Sequence, residues 1–283
     1  MTENLASTGI GPLDIFLKGG LPRGFTTVLL APSGSGGEIF AKQFATNHPE
    51  ERIVYVTTDE SRAEVEATMR QAGWDMRGLD VVDMQSDFAE AMLEAQQSSL
   101  EEREADRGKG DRDRPRRRFD PRELVEDTSS RDLLRRRGGG APGDAGPGDG
   151  AGRRDTDYLG QLIQPFARLR SPDRMVVHSL DFFLNLYPVE RVVASLTALK
   201  AANAKAGGQL LLVVAKGAHG GTTERRLELL SDCLIELEMT RRGTKFERYF
   251  MVKKVKNRST GVGVSTYEID RDGFTLETLE RIM

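Results

Sequence analysis

The sequence predicts an α/β fold with a mainly parallel central sheet, flanking helices and an antiparallel C-terminal edge. Three observations predict it. Strand-length apolar runs alternate with helix-period segments through the first ninety residues, the pattern of a parallel sheet. The run QLLLVVAKG, Gln209 to Gly217, is apolar on both faces, as a central strand must be. From Cys233 onward the chain instead alternates apolar and polar residues around short turns, the pattern of antiparallel hairpins.

Taken in order, Val28 to Phe44 (VLLAPSGSGGEIFAKQF) reads as a strand, a small flexible turn and a helix. A second strand, Arg52 to Thr58, carries Asp59-Glu60-Ser61 at its carboxyl end. The helix Arg62 to Ala72 places Val65 and Met69 on one face and stops near Gly73. Leu79 to Met84 is a third strand. After Tyr158, the residues Leu159, Leu162, Ile163, Phe166 and Leu169 recur at helical spacing. Arg174 to Leu180 is a buried strand, Pro188 to Ala206 a long helix with Val192, Leu196 and Leu199 inward, and Thr222 to Ser231 another helix. The remainder turns at Arg242-Gly243 and again at Asp272-Gly273.

The first strand-to-helix junction has the frame of a phosphate-binding loop without its working residues. The pattern G-x-x-x-x-G-K-[ST] places a lysine on the β/γ-phosphates and a hydroxyl on magnesium. Here Ala31 takes the first glycine position, Gly36 matches the second, Gly37 replaces the lysine and Glu38 the hydroxyl residue. Two like charges ~4 Å apart at an effective dielectric near 20 repel by roughly 4 kcal/mol, so Glu38 turns attraction for polyphosphate into repulsion. The simpler alternative is a Gly/Ser-rich turn with no such ancestry. Lys42, one turn beyond Glu38, and Arg23, before the strand, are the bases that could compensate.

Length and composition bound the rest. With 283 residues and 38% hydrophobic content the chain can bury one large core. A net charge of −3 gives no general case for nucleic acid or an anionic membrane as partner. No apolar stretch approaches the ~20 residues of a membrane span. The N-terminus lacks a basic segment followed by an apolar one, so a cytoplasmic location is expected. Cys233 is the sole cysteine, in an alternating strand pattern that suits a buried structural thiol, and His48, His178 and His219 are too dispersed for a metal cluster.

Composition shifts sharply between about Glu94 and Asp155. Residues 101–155 hold 15 basic and 14 acidic side chains, and 138–152 read GGGAPGDAGPGDGAG. Such a stretch cannot bury enough apolar surface to offset the entropy of ordering it. The expected organisation is one domain, 1–96 with 156–283, interrupted by a disordered charged insert, 97–155. Short helices are expected within the insert at Arg122 to Val125 and Ser130 to Arg136. Its arginine triplets, 116–118 and 135–137, read as part of a solvated polyampholyte rather than a nucleic-acid site.

Before the first loop stands a specific run: Thr8-Gly9-Ile10, Leu13-Asp14, Leu17, Gly19-Gly20-Leu21-Pro22 and Gly24. At this spacing the chain resembles single-domain KaiC-like proteins of the RecA/RadA superfamily, over roughly 1–96 and 156–283. The resemblance implies a RecA-like P-loop NTPase fold. It equates Ser33, Gly34, Ser35 and Gly36, with Gly37 and Glu38 after them, with the family's phosphate loop. It also equates Asp59 and Glu60 with the acids that position the attacking water; a second reading makes them caps of the following helix. His178 falls where the family has the magnesium-holding Asp, followed by Ser179, and reads as a sheet-end core histidine, with Asp181 able to substitute only after a strand shift. Lys254-Val255-Lys256-Asn257-Arg258 resembles the basic element a neighbouring subunit offers to the nucleotide, or is a protective lysine-rich edge. With lysine, hydroxyl and magnesium acid all replaced, the expectation is a non-catalytic pseudo-ATPase, without metal or nucleotide, working through protein contacts as a homo-oligomer or with active relatives. The alternative is a weak ATP-binding protein or Mg-dependent ATPase of the KaiC/RadA type, associated with DNA.

Overall fold

The computed structural model describes residues 4–107, 157–167, 171–257, 263–271, 273–277 and 280–281. The helices expected at 122–125 and 130–136, the glycine-rich stretch, Arg258 and Asp272 lie outside them. The chain divides into two compact units, Met1–Phe88 with Leu159–Met283, and Ala89–Tyr158.

The larger unit is built on a ten-stranded sheet. In chain order its strands are β3 (Thr26–Ala31), β4 (Ile53–Thr57), β5 (Leu79–Asp83), β6 (Arg174–His178), β7 (Gln209–Ala215), β8 (Cys233–Arg242), β9 (Lys245–Val255), β10 (Gly263–Asp270), β11 (Gly273–Leu276) and β12 (Glu280–Arg281), while β1 (Leu5–Ala6) and β2 (Leu21–Pro22) pair separately. Their spatial order is β11-β10-β9-β8-β3-β7-β6-β4-β5, with β12 on β10. From β8 through β5 the pairing is parallel; from β8 through β11 it is antiparallel. The mixed sheet matches the sequence expectation.

Burial on both faces explains the apolar runs. Leu29, Ala31, Tyr55, Val176, Leu211, Val213, Ile235 and Leu237 share one core with α1 (Gly11–Phe16), α2 (Gly37–Phe44) and α3 (Arg62–Gln71). The alternate residues Val28, Leu30, Met175, Val177, Leu210 and Leu212 are buried too. Val192, Leu196 and Leu199 are the inward residues of the long helix, which with α4 (Met84–Arg107), α5 (Tyr158–Ala167) and α6 (Asp181–Leu186) before it is α7 (Val189–Ala206). The last helix is α8 (Gly220–Leu230).

Three boundaries depart from the sequence reading. Strand β6 stops at His178, and α6, which the sequence reading lacks, starts three residues later; Asp181 accepts the Ala215 amide N–H at 3.0 Å and so holds the start of α6 against β7. Helix α4 runs through Arg107, past residue 97 where the charged insert was expected to begin. The β8–β9 turn consists of Gly243 and Thr244, one residue later than expected, with Gly243 at φ 62°.

The opening motif serves the fold. Asp14 accepts from the Thr8 amide and hydroxyl, both at 2.7 Å, and from the Ser7 hydroxyl at 2.5 Å, while Ile10, Leu13 and Leu17 are buried. Gly20 adopts φ 113°, and a Cβ there would stand 2.1 Å from the Ala6 carbonyl oxygen. Nearby, the buried Arg174 donates from Nε to Glu51 at 2.8 Å and from a terminal nitrogen to the Ser7 carbonyl at 2.8 Å, and lies 4.6 Å over the Phe44 ring. Cys233 is buried in β8, and desolvation pushes its thiol up to about 12.

Removing Arg174 leaves Glu51 partly buried beside only the more distant Arg23, at 3.5 Å. Arg174→Met is therefore expected to cost about 3 kcal/mol, read as a lower urea midpoint at unchanged slope. Burial first, then the Arg174 charge, lowers His48 to about 4, against a partial opposing effect of Asp14. A base whose folded pKa is depressed stays neutral in the native state while the unfolded chain protonates near 6.5. Its contribution is thus intact above pH ~6.5 and lost as the pH falls toward 4. The melting temperature should fall across that window, and His48→Gln should make the fall shallower.

Candidate functional site

The phosphate-loop residues lie at the carboxyl end of β3, the position at which open α/β sheets place their ligands. Ser33 and Gly34 are exposed, Ser35, Gly36 and Gly37 are buried, and Glu38 is half-buried in the first turn of α2. Gly34 and Gly36 adopt φ 76° and 88°, so the loop has the left-handed turns that glycine permits.

Two contacts define what the loop can accept. A Cβ placed on Gly37 would stand 2.6 Å from the Ala31 Cβ, closer than side chains approach. Ala31 and Gly37 are thus sterically complementary: the methyl group at the strand end stands where a side chain at the helix start would begin. Above the loop lies the C-terminal β10–β11 hairpin. The Tyr267 hydroxyl donates to the Ser35 carbonyl at 2.6 Å, and a Cβ on Gly36 would stand 2.0 Å from the Ile269 Cδ1. The Phe274 amide donates to Gln43 Oε1 at 2.8 Å, and its ring meets Phe40 edge-on at 5.3 Å and Tyr267 face-on at 4.3 Å. Burial raises the Tyr267 phenol to about 12.

The acids equated with the family's pair are both held within this chain. Glu60 accepts from Lys42 Nζ at 2.8 Å, and Asp59 Oδ1 lies 3.0 Å from His178 Nδ1. Lys42 has a 1% exposed side chain and bonds α2 to the β4–α3 turn. Neither acid caps α3. That role belongs to Ser61, whose hydroxyl accepts the Glu64 amide N–H while the Glu64 carboxylate accepts the Ser61 N–H, a complete capping box. The helix-cap reading of Asp59 and Glu60 is corrected on this point.

His178 is buried at the end of β6, its ring 6.4 Å from that of Tyr55. Thr58 accepts the Ser179 amide N–H at 2.8 Å and donates back to the Ser179 carbonyl at 3.0 Å, joining the ends of β4 and β6. The Tyr55 phenol is pushed well above its ordinary value by burial and then by Glu60, Asp59 and Glu38. Among the described residues no group of three or more His, Cys, Asp or Glu side chains could hold a metal ion. Asp181, besides accepting the Ala215 amide, meets His219 Nε2 at 2.5 Å.

Lys254 and Lys256, at the end of β9, meet groups of this chain as well. Lys254 Nζ donates to the carbonyls of Glu228 and Ser231 at the end of α8, at 3.0 and 2.6 Å, and Lys256 lies 3.5 Å from Asp232. Sequence reasoning missed the hairpin's cover of the loop, whose partners Tyr267 and Ser35 stand 232 residues apart. It also missed a cavity of about 490 Å³ beside α2, between Ile39, Trp74, Gln71 and Asp270.

Known proteins share parts of this sequence and its fold. A family model described as "ATPase: KaiC" matches residues 6–127. A UPF0273 protein of Pyrococcus furiosus is 38% identical over 72 residues, 25% of this chain and 29% of that protein. The circadian clock oscillator protein KaiC of Parathermosynechococcus lividus is 36% identical over 75 residues, 25% of this chain and 14% of its own. In structure, a KaiC-like protein of Pyrococcus horikoshii superposes with a TM-score of 0.61 over 97% of this chain and 99% of its own, at 18% identity. Over residues 6–127 this chain is thus similar to KaiC-type ATPases, and its fold is that of the KaiC-like structure. The matched stretches span less than a third of the length of those curated relatives. Among the described residues no helix is long and apolar enough to cross a membrane.

The Tyr267–Ser35 bond leaves a buried carbonyl without a donor when broken. Tyr267→Phe is expected to cost about 1 kcal/mol in urea unfolding. Gly36→Ala combines a positive φ with the Ile269 contact and is expected to cost more than about 1 kcal/mol. Equal stability of both variants would show that the hairpin does not bear on the loop.

Proposed function

We propose that this protein is a non-catalytic member of the superfamily, a pseudo-ATPase whose scaffold serves regulation or assembly through protein contacts in the cytoplasm. The observation that carries the reading is the Ala31 methyl group, 2.6 Å from where any side chain on Gly37 would begin. A lost lysine alone could be compensated by a neighbouring base. A loop in which the space for that lysine has also been filled is committed to another use.

The remaining groups agree with this reading. Glu38 contributes negative charge beside the loop, Lys42 is spent on Glu60, and His178 offers nitrogen where magnesium prefers oxygen. These residues do not fit a magnesium nucleotide, and no chemical step is assigned through one. The acids Asp59 and Glu60, paired to His178 and Lys42, serve here as ties between β4, β6 and α2.

Calorimetric titration with Mg-ATP and Mg-ADP is expected to give no heat and no thermal shift at millimolar nucleotide. Restoring the pattern separates the steric from the electrostatic cause. The triple variant Gly37→Lys, Glu38→Thr and His178→Asp is expected to melt lower than the native protein and still bind no nucleotide. Adding Ala31→Gly should recover stability and produce a nucleotide-dependent rise in melting temperature. Micromolar binding by the unaltered chain, or magnesium-dependent ATP hydrolysis, would overturn the reading in favour of a weak ATPase.

A further inference from the structure

Strands β8 and β9 extend well beyond the sheet that anchors them. β3 pairs with β8 only as far as Glu236, and β10 pairs with β9 no nearer the turn than Tyr249. From Leu237 to Arg248 the two strands pair only with each other among the described residues, through Arg242 opposite Lys245. About five residue pairs at ~3.4 Å each make a ribbon of roughly 17 Å with a free backbone edge on either side. It projects from the same end of the sheet as the phosphate loop.

Its two faces differ in charge. The register puts Met239, Arg241, Phe246 and Arg248 on one face, continuing the buried pair Leu237 and Phe250. That face carries two guanidinium groups and no carboxylate. Phe246 stands directly opposite Arg241 and is 61% exposed. Arg241 Nε bonds only to the Gly243 carbonyl of its own turn, at 3.0 Å, and Arg248 lies close enough to Tyr267 to act on its phenol. The opposite face carries Glu238, Arg242, Lys245 and Glu247, with Lys216 on Glu238 at 2.9 Å and Arg242 on Glu247 at 3.1 Å. Its acids are therefore paired within the chain, and on the first face no acid among the described residues pairs with Arg241 or Arg248.

We propose that this ribbon is a docking strip for an extended acidic segment of a protein partner, which adds as a further strand and directs carboxylates from alternate positions at Arg241 and Arg248 across Phe246. Strand addition satisfies the free backbone edge, and the period of two places every second side chain on the arginine face. Arginine forks accept carboxylates in two-point contacts, and an exposed phenyl ring gives the apolar residue between them a surface. Charge along an edge also deters self-pairing, but an exposed phenylalanine between two arginines works against that purpose. The proposal rests on the reading that this protein acts through protein contacts. It uses residues distinct from the loop, so the peptide and nucleotide titrations can fail separately.

The test is fluorescence anisotropy of the full chain with a labelled peptide of about six Glu-Val repeats, at low and high salt. Saturable binding that weakens with salt is expected. Arg241→Ala with Arg248→Ala should weaken it at least tenfold and Phe246→Ala severalfold. Arg242→Ala, on the other face, should leave it within twofold, and a Lys-Val peptide should not bind. Thermal melts of Phe246→Ala and Arg242→Ala, both at exposed positions, should match the native protein; Arg248 is half-buried, so the double variant is titrated well below its own melting temperature, which separates lost docking from lost folding. The proposal is overturned if the Glu-Val peptide does not bind at millimolar concentration, if the double variant binds it as well as the native chain, or if Arg242→Ala weakens it as much as the double change. It is also overturned if a (dT)20 oligonucleotide binds more tightly through the same arginines, which would make the strip a nucleic-acid surface.

Discussion

Strand β3 is buried along its whole length between two parallel neighbours, and that placement constrains everything at its carboxyl end. A strand so enclosed has no freedom to shift when a residue at its end changes size, because interiors are packed as densely as crystals. The Ala31 methyl group is therefore a fixed obstacle. The helix start beside it accommodates the methyl with Gly37, and the hairpin above it closes on Gly36.

The same rigidity holds the strand ends in place, and they carry internal pairs: Asp59 with His178, Glu60 with Lys42, Glu236 with Lys216 and Lys253. For Glu236 burial works against the charged form, yet the two lysines hold its carboxyl below its usual value. A carboxylate left alone there would be expensive to bury. Asp59, Glu60 and Glu236 each meet a base of their own chain, and the loop rests against aromatic and aliphatic side chains of β10 and β11.

What the sequence revealed and what it concealed have distinct physical causes. Apolar runs on both faces of β3, β4, β6 and β7 are the direct imprint of a parallel sheet, so the fold was legible. So was the opening motif, because Asp14, Ile10, Leu13 and Gly20 are fixed by backbone geometry and local hydrogen bonds rather than by a ligand. Helix α6 was hidden because DFFLNL follows its strand almost without a break and is as apolar as a strand would be. Helix α4, also absent from the sequence reading, was hidden because its second half has the charge density of unfolded sequence. At the site, residue identities were legible and partners were not. Periodicity and spacing carry no information on which base an acid will meet across more than a hundred residues, as Asp59 meets His178.

The single thiol has a practical consequence of its own. Cys233 is fully buried at the start of β8, in the parallel core next to β3, with a thiol held far from the reactive thiolate form. Alkylating reagents will thus find the native protein silent. Any cysteine introduced on the surface can carry a spectroscopic probe without competition, and slow modification of the native thiol becomes a clock for the rare events that open the central sheet.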